Sequence, residues 1–201
     1  MAITAKQFEE LKARVARPKR VAAPVFVTPP KAHAAHEIII GIDPSLRGTG
    51  WGVIRAGKPQ SEALAHGTIS CSSTWERSRC LARIAQTLRE ILARHRPSVC
   101  AIEGLFYAQN LQTAIIMGEA RGASLAVLGE AGLEIFEIAP RKVKQAIVGY
   151  GAAQKMAVAK MVQRQLRLAE PPAPDAADAL ALALACSHER GRFGLAAPKR
   201  I

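Results

Sequence analysis

The sequence predicts an α/β domain: a five-stranded mixed sheet, its first three strands antiparallel, flanked by helices. Three observations point there. Residues 38–42 are an Ile-rich run, and a Pro/Gly-rich turn from Pro44 to Gly50 returns the chain into a second apolar run at 51–55. From Arg77 to His95 the apolar residues recur at helical spacing instead. A further apolar run, 98–103, follows that helix, and a helical crossover lets it lie parallel to the first.

The elements follow in order. Strands are expected at 38–42, 51–55 and 64–70, joined by connections short enough to make them antiparallel neighbours. Leu81, Ile84, Leu88, Ile91 and Leu92 share one face of the helix at 77–95, which Pro97 closes. The fourth strand covers 98–103. A second helix spans 110–128, with Ala114, Gly118, Gly122 and Ala126 recurring every four residues. That bare stripe suits either packing on the sheet or a helix at a subunit interface. The turn at Gly132 opens a fifth strand at 134–138. Pro140 begins a helix to Val148, broken by Gly149-Tyr150-Gly151; another runs from about 153 to 168. Pro171-Pro172-Ala173-Pro174 halts the chain before a last Ala/Leu-rich helix at about 175–188. No internal repeat is evident.

The ends differ in character. Residues 1–36 hold seven Lys/Arg against Glu9 and Glu10, with a Pro/Ala/Val tract ending at Pro29-Pro30. They read as a basic, flexible extension, with one short helix at 4–15, that adds non-specific DNA affinity. The domain proper occupies 37–190, and 191–201 is a basic, frayed tail.

Net charge is +12, with 28 basic and 16 acidic residues, which favours a polyanionic partner. Cys71, Cys80, Cys100 and Cys186 have neither CxxC nor zinc-ligand spacing, and fit reduced, buried thiols of a cytoplasmic protein. No run is long and apolar enough for a membrane span, and the N-terminus lacks the apolar core of a secretory signal.

In this basic chain the placement of a few acids is informative. Asp43 and Glu103 end the two most apolar strands. Asp175 and Asp178, three apart, share one face of a helix's first turn, where capping of the helix dipole is the plainer explanation for the pair, though the apolar neighbours of Asp178 argue against mere capping there. Converging carboxylates repel unless cations neutralise them, and hard oxygen donors suit Mg²⁺ or Mn²⁺. Two such ions would activate water and steady the departing oxygen in phosphoryl transfer. No Ser-His-Asp or Cys-His arrangement competes, because His33, His36, His66, His95 and His188 sit in tail, loop or helix-end contexts.

Four segments carry a resemblance. Ile40-Gly41-Ile42-Asp43-Pro44 with Gly48-Thr49-Gly50-Trp51-Gly52-Val53-Ile54 is similar to the opening of RuvC-type Holliday junction resolvases. Ala101-Ile102-Glu103 with Phe106 and Asn110 resembles their second acidic motif. Arg141-Lys142-Val143-Lys144-Gln145 with Val148-Gly149-Tyr150-Gly151 and Lys155 resembles their basic segment. Asp175-Ala176-Ala177-Asp178-Ala179-Leu180-Ala181 resembles their closing motif. The likeness covers about residues 37–190 in unbroken order.

The resemblance implies an RNase H-like fold and a homodimer that nicks opposed strands of a four-way DNA junction symmetrically during recombination and repair. It implies Mg²⁺, with Mn²⁺ able to substitute, two ions per site, held by Asp43, Glu103, Asp175 and Asp178 as catalytic carboxylates, and products with a 5′ phosphate. Phe106, Asn110, Arg141, Lys144 and Lys155 then face DNA, Phe106 stacking on an unpaired base. The RuvAB branch-migration proteins are the implied partners. Ser45-Leu46 and Gly104 depart from the family pattern, and residues 1–36 exceed its usual short head. Two alternatives stand beside this reading: a non-catalytic junction-binding module, and a phosphotransferase. The second arises because Gly41-Ile42-Asp43 with Gly48-Thr49-Gly50 also resembles the phosphate hairpin of sugar kinases and actin-like ATPases. Their duplicate domain and second phosphate loop have no counterpart here.

Overall fold

The computed structural model describes residues 37–104, 111–190 and 199–201. Within them a mixed sheet of order β3-β2-β1-β4-β5-β6 is covered by five helices. The strands are β1 (Ile38–Asp43), β2 (Gly48–Arg55), β3 (Glu62–Ser70), β4 (Val99–Glu103), β5 (Glu134–Ile138) and β6 (Lys199–Arg200). The helices are α1 (Arg77–His95), α2 (Leu111–Glu130), α3 (Pro140–Val148), α4 (Lys155–Leu166) and α5 (Pro174–Arg190). β1, β2 and β3 pair antiparallel, and β4 lies parallel to both β1 and β5, as the connections required.

β1 is the centre of the sheet, and its alternation sorts two cores. Ile39, Ile54, Val99, Ala101 and Ile138 face α3, α4 and α5. Ile40, Ile42, Val53, Cys100 and Ile102 face α1 and α2. α5 is buried almost all round, with Leu180, Leu182 and Leu184 at most 2% exposed. Burying each such leucine contributes about 1.5–3 kcal/mol, so α5 is a central helix rather than a surface one. All four cysteines are buried.

Three expectations need correction. The sheet has six strands, not five: the end of the chain, expected to fray, pairs antiparallel with β5. Arg200 meets Glu134 at 3.2 Å and Lys199 meets Glu137 at 3.8 Å, so the charges that suggested a solvated tail serve to dock it. β2 begins at Gly48, inside the stretch expected to be turn, because the glycines there are needed for close packing rather than for bending. α4 is shorter than its periodicity suggested: Gln154 is still extended, and Arg167 at φ 51° ends the helix in the left-handed region.

The glycine stripe of α2 opens outward. A methyl group placed on Gly118 or Gly122 would meet nothing within 4 Å among the described residues, and Ala126 is exposed. Leu111 and Ile115 extend this face, 77% and 52% exposed. Packing on the sheet is therefore not what the stripe serves. Among the described residues, no helix is long and apolar enough to cross a membrane.

Candidate active site

Period-two alternation sets the first half of the site. On β1, Asp43 shares a face with Ile39 and Gly41; on β4, Glu103 shares a face with Val99 and Ala101. Both faces look toward α5. The parallel register sets Ile42 opposite Ile102, which brings Asp43 and Glu103 side by side at the same end of the sheet.

α5 supplies the second half, and glycines let it come close. A side chain on Gly41 would overlap the main-chain oxygen of Ala179, and one on Gly50 would overlap that of Asp175. The first turn of α5 therefore lies directly over the β1–β2 hairpin, with Asp175 and Asp178 facing Asp43. A methyl group on Gly48 would sit 2.9 Å from the Asp175 Oδ2 atom. All four acids are half-buried.

Their proximity shows in their protonation. Burial pushes Asp43 above the ordinary carboxylate value; the hydrogen bond from Glu103 opposes this, while Asp178 and Asp175 add to it. Glu103 is pushed up to about 8, first by burial, then by the charge of Asp43 and the proton it donates to Asp43. Lys155, at the first position of α4, places Nζ 2.9 Å from Asp178 Oδ2, which raises its own pKa. One shared proton and one ammonium thus offset part of the mutual repulsion.

The turn between Asp43 and β2 is held from several sides. Thr49, fully buried, accepts a bond from the Ser45 amide at 3.2 Å and donates to the Ser45 carbonyl. Arg47 donates to the Ser72 and Trp75 carbonyls and lies 3.1 Å from Cys80 Sγ. Leu46, one of the departures from the family pattern, is buried in a small cluster with Cys71 and Cys80. These supports went unforeseen in the sequence, where the turn reads as glycine and proline alone.

Of the basic residues expected at DNA, Lys155 joins the carboxylates directly. Arg141 and Lys144 lie on α3, Arg141 exposed with its stem against Gly151, Lys144 half-buried. Phe106 and Asn110 lie outside the described residues. The sequence also gave no warning of Arg121: it is 6% exposed and donates to the Glu103 carbonyl. The donor set suits a hard divalent cation, being oxygen-only and crowded enough to force a carboxyl proton into place. Among the described residues the acids are gathered without being closed into a cage of three ready donors.

Comparisons with known proteins show which family and fold the chain shares. The family model for RuvC, the crossover junction endodeoxyribonuclease, matches residues 39–188. The crossover junction endodeoxyribonuclease RuvC of Rubrobacter xylanophilus is 43% identical over 155 residues, covering 76% of this chain and 87% of that protein. Its counterpart from Halorhodospira halophila is 44% identical over 152 residues, covering 76% and 90%. The structure of T. thermophilus RuvC in complex with a Holliday junction substrate matches with a TM-score of 0.75 at 36% identity, covering 82% of this chain and 100% of that one. A yeast mitochondrial Holliday junction resolvase, 13% identical with a TM-score of 0.54 over 73% of this chain and 76% of its own, shares the fold.

Proposed function

Because this chain belongs to the RuvC family of crossover junction endodeoxyribonucleases, we propose that Asp43, Glu103, Asp175 and Asp178 are the catalytic centre with which it resolves four-way DNA junctions in recombination and repair. The observation that carries this is their convergence at one end of the sheet, from β1, β4 and the first turn of α5, spread over more than half the chain. Divalent ions, Mg²⁺ or Mn²⁺ and two per site, would supply water activation and charge stabilisation at the phosphate.

The chain's own groups prepare that chemistry. Glu103 gives up its proton to become a full donor, so cation affinity rises with pH. Lys155, its side chain 77% exposed, is free to bridge from Asp178 to a phosphate oxygen of the strand being cut. Arg141 and Lys144 on α3 would contact the DNA backbone, and Phe106 and Asn110, close after Glu103 in sequence, are assigned to the junction DNA by family resemblance. Recognition of a branched backbone by charge and shape requires steep salt dependence.

Two symmetric nicks require two centres, and α2 offers the surface for them. Leu111, Ile115, Gly118 and Gly122 form an exposed apolar face whose glycines allow a second α2 to approach closely. The working form is a cytoplasmic homodimer, and the RuvAB branch-migration proteins are its expected partners. The basic extension 1–36 adds non-specific DNA affinity.

The decisive experiment is cleavage of a labelled synthetic four-way junction in Mg²⁺. Asp43→Asn should bind the junction with parental affinity and cut at least about 1,000-fold more slowly, the loss of several kcal/mol of charge stabilisation. Parental cutting by that variant would remove Asp43 from the site. A non-catalytic binding module would bind and never nick; a phosphotransferase would be stabilised by ATP.

A further inference from the structure

Arg121 is the one charged side chain buried among the described residues. It lies on α2, next to the exposed Gly122 but turned into the protein. Its guanidinium forks between two acceptors: Nη1 donates to the main-chain carbonyl of Glu103, and Nη2 lies 2.5 Å from Glu137 Oε2 on β5. Both acceptors sit at the carboxyl ends of parallel neighbours, Glu103 opposite Ile138. An arginine suits this place because a planar fork can satisfy a carbonyl and a carboxylate together, which a lysine cannot.

We infer that Arg121 is a positioning residue for Glu103, an inference that rests on the proposed role of Glu103. β4 ends at Glu103, and beyond it the sheet offers one more main-chain bond, from the Gly104 amide to Ile138 at 3.0 Å. Without Arg121 the carbonyl of Glu103 would have no such anchor on its other side, and Glu137 would lose its buried partner. Gly104 belongs to the same device: a Cβ there would stand 3.3 Å from the Glu137 side chain, tighter than an ordinary contact. The family departure at Gly104 thus leaves Glu137 free to reach Arg121. Arg121 bonds the main-chain carbonyl of Glu103 and acts through the backbone from which the Glu103 carboxylate projects.

The test uses the full chain as Arg121→Met, Arg121→Lys and Glu137→Gln, each checked by thermal melting. Misplacing a catalytic group by about 1 Å costs about 100-fold in rate. Arg121→Met should therefore cut a four-way junction about 100-fold more slowly in single turnover, with junction affinity unchanged and a higher half-saturating Mn²⁺ concentration. Arg121→Lys should recover part of the rate, and Glu137→Gln should lose less than Arg121→Met. Hydrogen exchange gives a readout independent of cutting: the Gly104 amide should exchange at least about tenfold faster in Arg121→Met, while Val99 to Ile102 keep their protection. A merely structural arginine would lower the melting temperature and leave the half-saturating Mn²⁺ and the local pattern of exchange untouched; that result overturns the inference. Should Arg121→Met not fold, parental rates and parental Gly104 exchange in the two milder variants overturn it equally. If the parent cuts no junction, the functional reading fails, and Gly104 exchange still decides whether Arg121 holds the end of β4.

Discussion

The approach of α5 to the glycines of the hairpin can be tested by adding single methyl groups. On Gly48 a methyl would lie 2.9 Å from Asp175 Oδ2, about 0.5 Å inside an ordinary contact, with Thr68 Cγ2 at 3.7 Å limiting escape. The carboxylate would have to swing by that amount while the helix stays in place. Catalytic groups tolerate about 0.5 Å of error, and 1 Å costs about 100-fold, so Gly48→Ala should cut about tenfold more slowly with a stability change below about 1 kcal/mol. On Gly50 the obstacle is the main-chain oxygen of Asp175, which no rotamer can move. Gly50→Ala should displace the start of α5, losing about 100-fold in rate and about 1–3 kcal/mol from overpacking. The assay is single-turnover cleavage of a labelled four-way junction, corrected for the folded fraction from thermal melts. Equal, parental rates in both folded variants would refute the claim that this close approach sets the carboxylate geometry.

Other predictions follow from the same geometry. Glu103 has a folded value of about 8 against an ordinary 4.5. The folded state therefore holds a proton that the unfolded chain releases; its stabilisation is complete below about pH 4.5 and is lost as pH rises toward about 8. Melting temperatures in EDTA should fall across that window, and Glu103→Gln should flatten the curve. Lys155→Met removes an exposed ion pair worth no more than about 1 kcal/mol, yet should slow cutting by about 10- to 100-fold if its ammonium serves the phosphate; an unchanged single-turnover rate would exclude that role. Gly129, inside α2 with nothing among the described residues within 4 Å of an added methyl, should gain about 0.5–1 kcal/mol as Gly129→Ala in chemical denaturation.

Much of this is legible in the sequence. Asp43 and Glu103 each end an apolar strand, and the expected parallel pairing of those strands puts both acids at the same end of the sheet. Asp175 and Asp178 open a helix after a proline stop, so their shared face was also readable. What escaped depends on contacts between distant elements. The Gly48-Thr49-Gly50 run looks like a turn in isolation and becomes strand only because α5 needs the space above it. The α2 stripe is equally compatible with burial and exposure, since a helix lacking side chains on one side carries little amphipathic signal. Arg121 looks like any solvated arginine until Glu103 and Glu137 are seen around it. β6 requires the free edge of β5 and its acids, which no local pattern announces.

The seating of α5 on a side-chain-free track has a practical consequence for engineering. Replacing glycine by alanine is a common route to a more robust protein. Along Gly41, Gly50 and Gly52 that route is closed, since the space a methyl would take already belongs to the helix bearing two of the four acids. A hardier variant must be sought on outer surfaces, and any attempt to retune cation preference has to work through side chains around the rim while this floor stays as it is.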